Sequence, residues 1–122
     1  IDMDRFKQLN DTLGHAAGDA ALRQMVQELQ PCLREVDHFG RLGGEEFCVL
    51  LPRTTLHDAT LLAERIARRV SDDGQRVPVT VSIGVSVYTA GDTDLQAVLR
   101  RADGALYEAK AAGRDRVVAA LS

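Results

Sequence analysis

Two successive glycines, Gly43-Gly44, separate an apolar run that begins near Val36 from one that ends at Leu51, and this limits the fold more than any other feature of the chain. Glycine adopts the positive φ of a tight hairpin loop without steric cost. Residues 36–42 and 47–51 are therefore predicted to form an antiparallel pair, with Pro52 ending the second strand and Glu45-Glu46 at the tip of the hairpin. The Gly-Gly pair also lets the backbone come close to a ligand, with a plain type I′ turn as the alternative reading.

The remaining elements follow from periodicity. Ile1 and Met3 alternate with Asp2 and Asp4, as at the end of a buried strand, and Asp4 is placed to cap a short helix starting near Arg5. Residues 10–18, rich in Asn, Asp and Gly, read as a turn. Asp19 stands at an N-cap position before a helix that carries Leu22, Met25, Val26, Leu29 and Leu33 on one face. A second helix over 56–70 turns Ala59, Leu62, Ala63, Ile66 and Val70 inward. The alternation from Val79 to Val87 predicts a strand with one buried face. A helix over 94–112 aligns Leu95, Val98, Leu99, Ala102, Leu106 and Ala109, Gly113 stops it, and 117–120 form a last strand. The order β-α-α-β-β-α-β-α-β predicts an α+β fold: a central, mostly antiparallel sheet flanked by helices.

With 122 residues, 45% of them hydrophobic, the chain suits one domain with its own core. A net charge of -3 without a basic stripe argues against a nucleic-acid partner. No apolar run is long enough to cross a membrane, and no membrane contact is expected. Cys32 and Cys48 read as small buried hydrophobes in a reducing compartment. His15, His38 and His57 lack metal-ligand spacing and read as surface or turn residues, and no Walker loop occurs. The chain opens on Ile1 at what reads as the end of a strand, and is expected to be a piece of a longer polypeptide.

Chemistry concentrates in the acidic residues. If the first strand neighbours the hairpin, Asp2 and Asp4 converge with Glu45 and Glu46, and clustered carboxylates call for a cation such as Mg²⁺. Charged residues at strand ends bind nothing in most proteins, and that reading stands beside the first. The N–H groups of Arg5, Phe6 and Lys7 open a helix and suit a phosphate. Lys110 and Arg114, one turn apart, either add charge toward a phosphate or complement a helix C-terminus. Asn10 and Asp19 have the donors and acceptors to read a guanine edge, and serve equally as a turn Asn and a helix cap.

These residues fall into an ordered set: Asp2-Met3-Asp4-Arg5-Phe6-Lys7, Asn10-Asp11, Gly14-His15, Gly18-Asp19, Gly43-Gly44-Glu45-Glu46-Phe47, Ser82-Ile83-Gly84-Val85-Ser86, Ala102-Asp103, Tyr107, Ala109-Lys110 and Gly113-Arg114. In this order and spacing the chain resembles the GGDEF family of diguanylate cyclases, in its GGEEF variant. The resemblance implies a nucleotidyl-cyclase or polymerase-palm-like fold with a ferredoxin-like core. It implies condensation of two GTP molecules into cyclic di-GMP across an antiparallel homodimer, by two-metal phosphoryl transfer that releases pyrophosphate. Asp2 and Glu45 would be the main ligands of Mg²⁺ (or Mn²⁺), with the Met3 carbonyl and Glu46 assisting and Gly43 and Gly44 letting the backbone approach the ligand. Glu45 would also help deprotonate the attacking 3′-hydroxyl. Asn10 and Asp19 would hold guanine, while Phe6, Lys7, Lys110 and Arg114 would touch the phosphates.

The resemblance extends to regulation. Arg34-Glu35-Val36-Asp37, with five residues between Asp37 and Gly43, matches the family's R-x-x-D inhibitory site, and Arg65 matches a further arginine that joins it. This implies allosteric inhibition by bound cyclic di-GMP. It also implies that the domain spans residues 1–122, lacks an N-terminal helix and most of its first strand, and serves as the cytoplasmic output of a sensor-linked protein. Asp115 stands where Asn is common and Gly40 where Ala is usual; neither is a metal ligand. The alternative is a non-catalytic cyclic di-GMP receptor with the same fold, against which the intact acidic pair argues.

Overall fold

The computed structural model describes residues 1–121. They run as β1 (Asp2–Met3), α1 (Phe6–Leu13), α2 (His15–Leu29), a 3₁₀ turn (Gln30–Cys32), β2 (His38–Gly43), β3 (Glu46–Leu50), α3 (Leu56–Val70), β4 (Val81–Val85), α4 (Leu95–Ala111) and β5 (Arg116–Ala119). The five strands form one sheet in the order β2-β3-β1-β4-β5. All neighbours are antiparallel except β4 and β5, which run parallel with α4 as the crossover. The expected α+β fold with a mostly antiparallel sheet is what forms.

Alternation along β4 organises the packing. Val81, Ile83 and Val85 point into a core shared with Met3, Phe47, Met25 and Leu29 of α2, and Ile66 and Val70 of α3. The opposite residues are small because α4 lies against them. A Cβ on Gly84 would collide with the Ala102 carbonyl oxygen and the Leu106 nitrogen of α4, and Ser86 Oγ donates to the Val98 carbonyl at 2.7 Å. β4 is thus covered on both faces, whereas its alternating pattern predicted one. Gln24 is buried in α2 and ties the α3–β4 connection: its Nε2 donates to the carbonyls of Val70 and Val77, and its Oε1 accepts from the Val77 N–H.

Several boundaries differ from expectation, each for a local reason. Residues 10–18 are not a turn. α1 continues to Leu13, and the chain reverses at Gly14 alone, whose φ of 91° only glycine takes easily. Asp19 therefore lies inside α2 and caps nothing; the N-cap is Gly14. Asp4 does not cap α1 either. The N-cap residue is Arg5, in a left-handed conformation and without a side-chain cap. The helix predicted to reach Leu33 stops at Leu29 and tightens into the 3₁₀ turn at Pro31. In the hairpin Gly43 belongs to β2 and pairs with Glu46, leaving Gly44-Glu45 as the loop. Gly44 (φ 48°) has positive φ and Glu45 does not, so the type I′ turn, the alternative reading of Gly-Gly, is not what forms. Cys32 and Cys48 are free and half-buried rather than fully buried.

Candidate active site

The first two strand residues face opposite sides of the sheet, and this divides their roles. Met3 drops into the core, while Asp2 and Asp4 turn to the side occupied by α4. The Asp2 carboxylate is buried, and Lys110 Nζ of α4 donates to its Oδ2. A buried anion without a partner is costly, so the ammonium supplies the compensating charge. Two candidate residues of opposite expected roles, one for metal and one for phosphate, therefore form an ion pair.

β1 lies between β3 and β4, so the condition that the first strand neighbours the hairpin is met. Asp2 pairs with Glu46 on one side and Ser82 on the other. The Met3 N–H donates to the Glu45 carbonyl at 3.2 Å, and by strand geometry the Met3 carbonyl points toward the same hairpin tip. Arg41 Nε donates to the Gly44 carbonyl at 2.6 Å, which steadies the tip. Glu45 is half-buried in the loop and Glu46 is exposed.

The end of α4 meets the same region. Gly113 (φ 121°) donates to the Lys110 carbonyl and Arg114 to the Ala109 carbonyl, the paired bonds of a Schellman cap. Arg114 and Asp115 continue in left-handed conformations, φ 62° and 46°, and the Asp115 N–H donates to Asp4 Oδ2 at 3.0 Å. Asp4 also accepts from Thr80 Oγ1 and Ser82 Oγ, both at 2.6 Å. Those partners were missed in the sequence; their only signal was the run of hydroxyls along one face of the β4 segment.

Phe6 and Lys7 occupy the first turn of α1, half-buried and exposed respectively. Further along α1, the Asn10 amide packs onto Gly18 of α2, where any Cβ would displace it. Asp19 follows Gly18 and is exposed. The structure thus brings Asn10 beside the start of the Gly18-Asp19 pair by helix packing rather than across a turn.

Among the described residues, no group of three or more His, Cys, Asp and Glu side chains gathers closely enough to hold a metal. A hard divalent ion such as Mg²⁺ is commonly bound by one or two carboxylates together with substrate phosphates and water. The buried Asp2 carboxylate, the Glu45 loop beside it and the Met3 carbonyl aimed at that loop are oxygen donors of the right kind. The donor set fits.

Arg34 and Asp37 form a separate group. Arg34 Nη2 donates to Asp37 Oδ1 at 2.8 Å, to Thr54 Oγ1 at 2.9 Å and to the Pro52 carbonyl at 2.8 Å, while Nε bridges both Asp37 oxygens. The hydrogen bonds from Arg34 hold the Asp37 carboxyl below the usual carboxylate range, and the same contact raises the Arg34 guanidinium. Arg65, exposed on α3, joins neither partner among the described residues.

The fold and this grouping define a class: an α+β domain whose sheet presents carboxylates beside a helix N-terminus and the cationic end of another helix. The chain belongs to the GGDEF family, since the family model described as "Diguanylate cyclase, GGDEF domain" matches residues 1–116. It is 45% identical over 122 residues to diguanylate cyclase A of Treponema denticola, spanning 96% of this chain but 33% of that protein's length. Among solved structures it is similar to the active GGEEF domain of a diguanylate cyclase from Vibrio cholerae, with TM-score 0.92, 36% identity and coverage of 99% of this chain and 80% of that one. It is also similar to the GGDEF domain of DgcB from Caulobacter crescentus in complex with c-di-GMP, with TM-score 0.92, 35% identity and coverage of 99% and 75%.

Proposed function

We propose that the domain is a diguanylate cyclase that condenses two GTP molecules into cyclic di-GMP and releases pyrophosphate from each. The observation that carries this reading is the register of β1 with the hairpin: Asp2 pairs with Glu46, the Met3 N–H meets the Glu45 carbonyl, and Lys110 reaches Asp2 from α4. Asp2 and Glu45 would hold Mg²⁺ or Mn²⁺, with the Met3 carbonyl and Glu46 assisting. The ion, when bound, would supply Lewis acidity and neutralise charge on the phosphates. Lys110 and Arg114, with the first N–H groups of α1, would hold the phosphates. Asn10 and Asp19 would orient guanine, and Glu45 would assist loss of the 3′-hydroxyl proton. One domain presents one such site, so the second GTP would come from a second copy of the chain in an antiparallel homodimer.

The Arg34–Asp37 pair supports a second role for the family's inhibitory motif. Both side chains are already oriented and ionised, so a cyclic di-GMP guanine edge would compete for a preformed donor and acceptor rather than order them. Turnover of GTP by wild type and by Glu45→Gln tests the catalytic reading: expected is loss of cyclisation with GTP binding retained, and unchanged turnover would refute the assignment. Product titration of Arg34→Ala tests the regulatory one. Expected is weaker product inhibition at undiminished initial rate; inhibition equal to wild type would exclude the site.

A further inference from the structure

The Asp4 carboxylate is used by none of this chemistry, although it is 8% exposed and makes three hydrogen bonds. No cation pairs with it among the described residues. All its partners are neutral: Thr80 and Ser82 hydroxyls from the β4 side, and the Asp115 N–H. The β1 backbone already pairs with this segment, the Asp4 N–H donating to the Thr80 carbonyl, so a carboxylate is not needed to join those strands. What it adds is the tie to Asp115. That residue and Arg114 are left-handed without being glycine, an uncommon conformation that the tie to Asp4 helps to hold.

We infer that Asp4 is a positioning residue: it bolts the turn carrying Arg114 to the end of β1, and so fixes the backbone from which the guanidinium would reach a triphosphate held at the start of α1. This rests on the reading of Arg114 as a phosphate-holding residue. Both Asp4 oxygens are occupied by these donors, which separates it from Asp2, whose partner is a cation.

The test compares Asp4→Ala with Asp4→Asn in the full chain, using 3′-deoxy-GTP, which cannot react, and GMP, which carries the base with a single phosphate. An asparagine keeps one oxygen for Asp115 and Thr80 and can donate to Ser82 Oγ, whereas alanine keeps nothing. Expected for Asp4→Ala is about a tenfold loss of 3′-deoxy-GTP affinity, the scale of one charge-assisted contact, with GMP affinity unchanged and Asp4→Asn close to wild type. Equal loss for both nucleotides, no loss for either, or Asp4→Asn falling as far as Asp4→Ala would overturn the inference, the last by showing that the charge itself acts. Wild type that binds both nucleotides equally would instead remove the phosphate reading beneath it. Should Asp4→Ala fail to fold, amide exchange of wild type decides: the Asp115 N–H is protected if the tether exists, and rapid exchange there overturns the proposal.

Discussion

The Asp4 carboxylate gathers the Thr80 and Ser82 hydroxyls and the Asp115 N–H around the end of β1. Asp4 precedes a helix and so resembles a cap, yet its carboxylate bonds residues 76, 78 and 111 positions away in the chain. No local spacing encodes such partners. The same holds for Asp2 and Lys110, each placed in the candidate site by motif but joined as an ion pair only by the fold. Arg34 and Asp37 lie one turn apart, and their pairing has a consequence in solution. A carboxyl whose pKa is lowered on folding contributes stability that is present above its unfolded value and lost as pH falls through its folded value. Asp37 is thus expected to stay ionised, and the pair closed, as pH passes below 3.8. A carboxyl carbon titration by NMR checks this. A folded-state midpoint at or above 3.8 would mean that the pair is open in solution.

At the scale of elements, the hairpin and the long helices were legible because each repeats one signal over many residues. The α1–α2 corner was not. Asn, Asp and Gly in succession have the composition of a turn, but Asn10 is used for helix packing against Gly18 and the reversal needs only Gly14. β4 was legible as a strand, and its second buried face was not, because Ser and Gly read as solvent-facing until α4 is seen against them. That contact gives a sharp expectation. Gly84→Ala places a methyl group against α4 backbone rather than against a side chain that can move, and overpacking of this kind costs about 1–3 kcal/mol or more. Denaturant unfolding measures it. A change within about 0.5 kcal/mol, the scale of an ordinary surface substitution, would show that α4 can shift freely and is not what fixes the strand.

At the scale of the molecule, the sheet order puts the shortest strand at the centre. β1 has two residues, yet it separates the hairpin from β4 and β5 and so brings the carboxylate-bearing loop and the cationic end of α4 to one region. The resemblance anticipated that convergence, while spacing alone left the neighbours of the first strand open. The proposed reaction needs two such regions facing each other, since each domain would supply one GTP. Chromatography of nucleotides after incubating the protein with GTP and Mg²⁺, over a range of protein concentrations, tests this most directly. The expected result is cyclic di-GMP, formed at a rate per domain that rises with protein concentration as pairs assemble. Absence of cyclic di-GMP from a preparation shown to be dimeric would contradict the proposed activity.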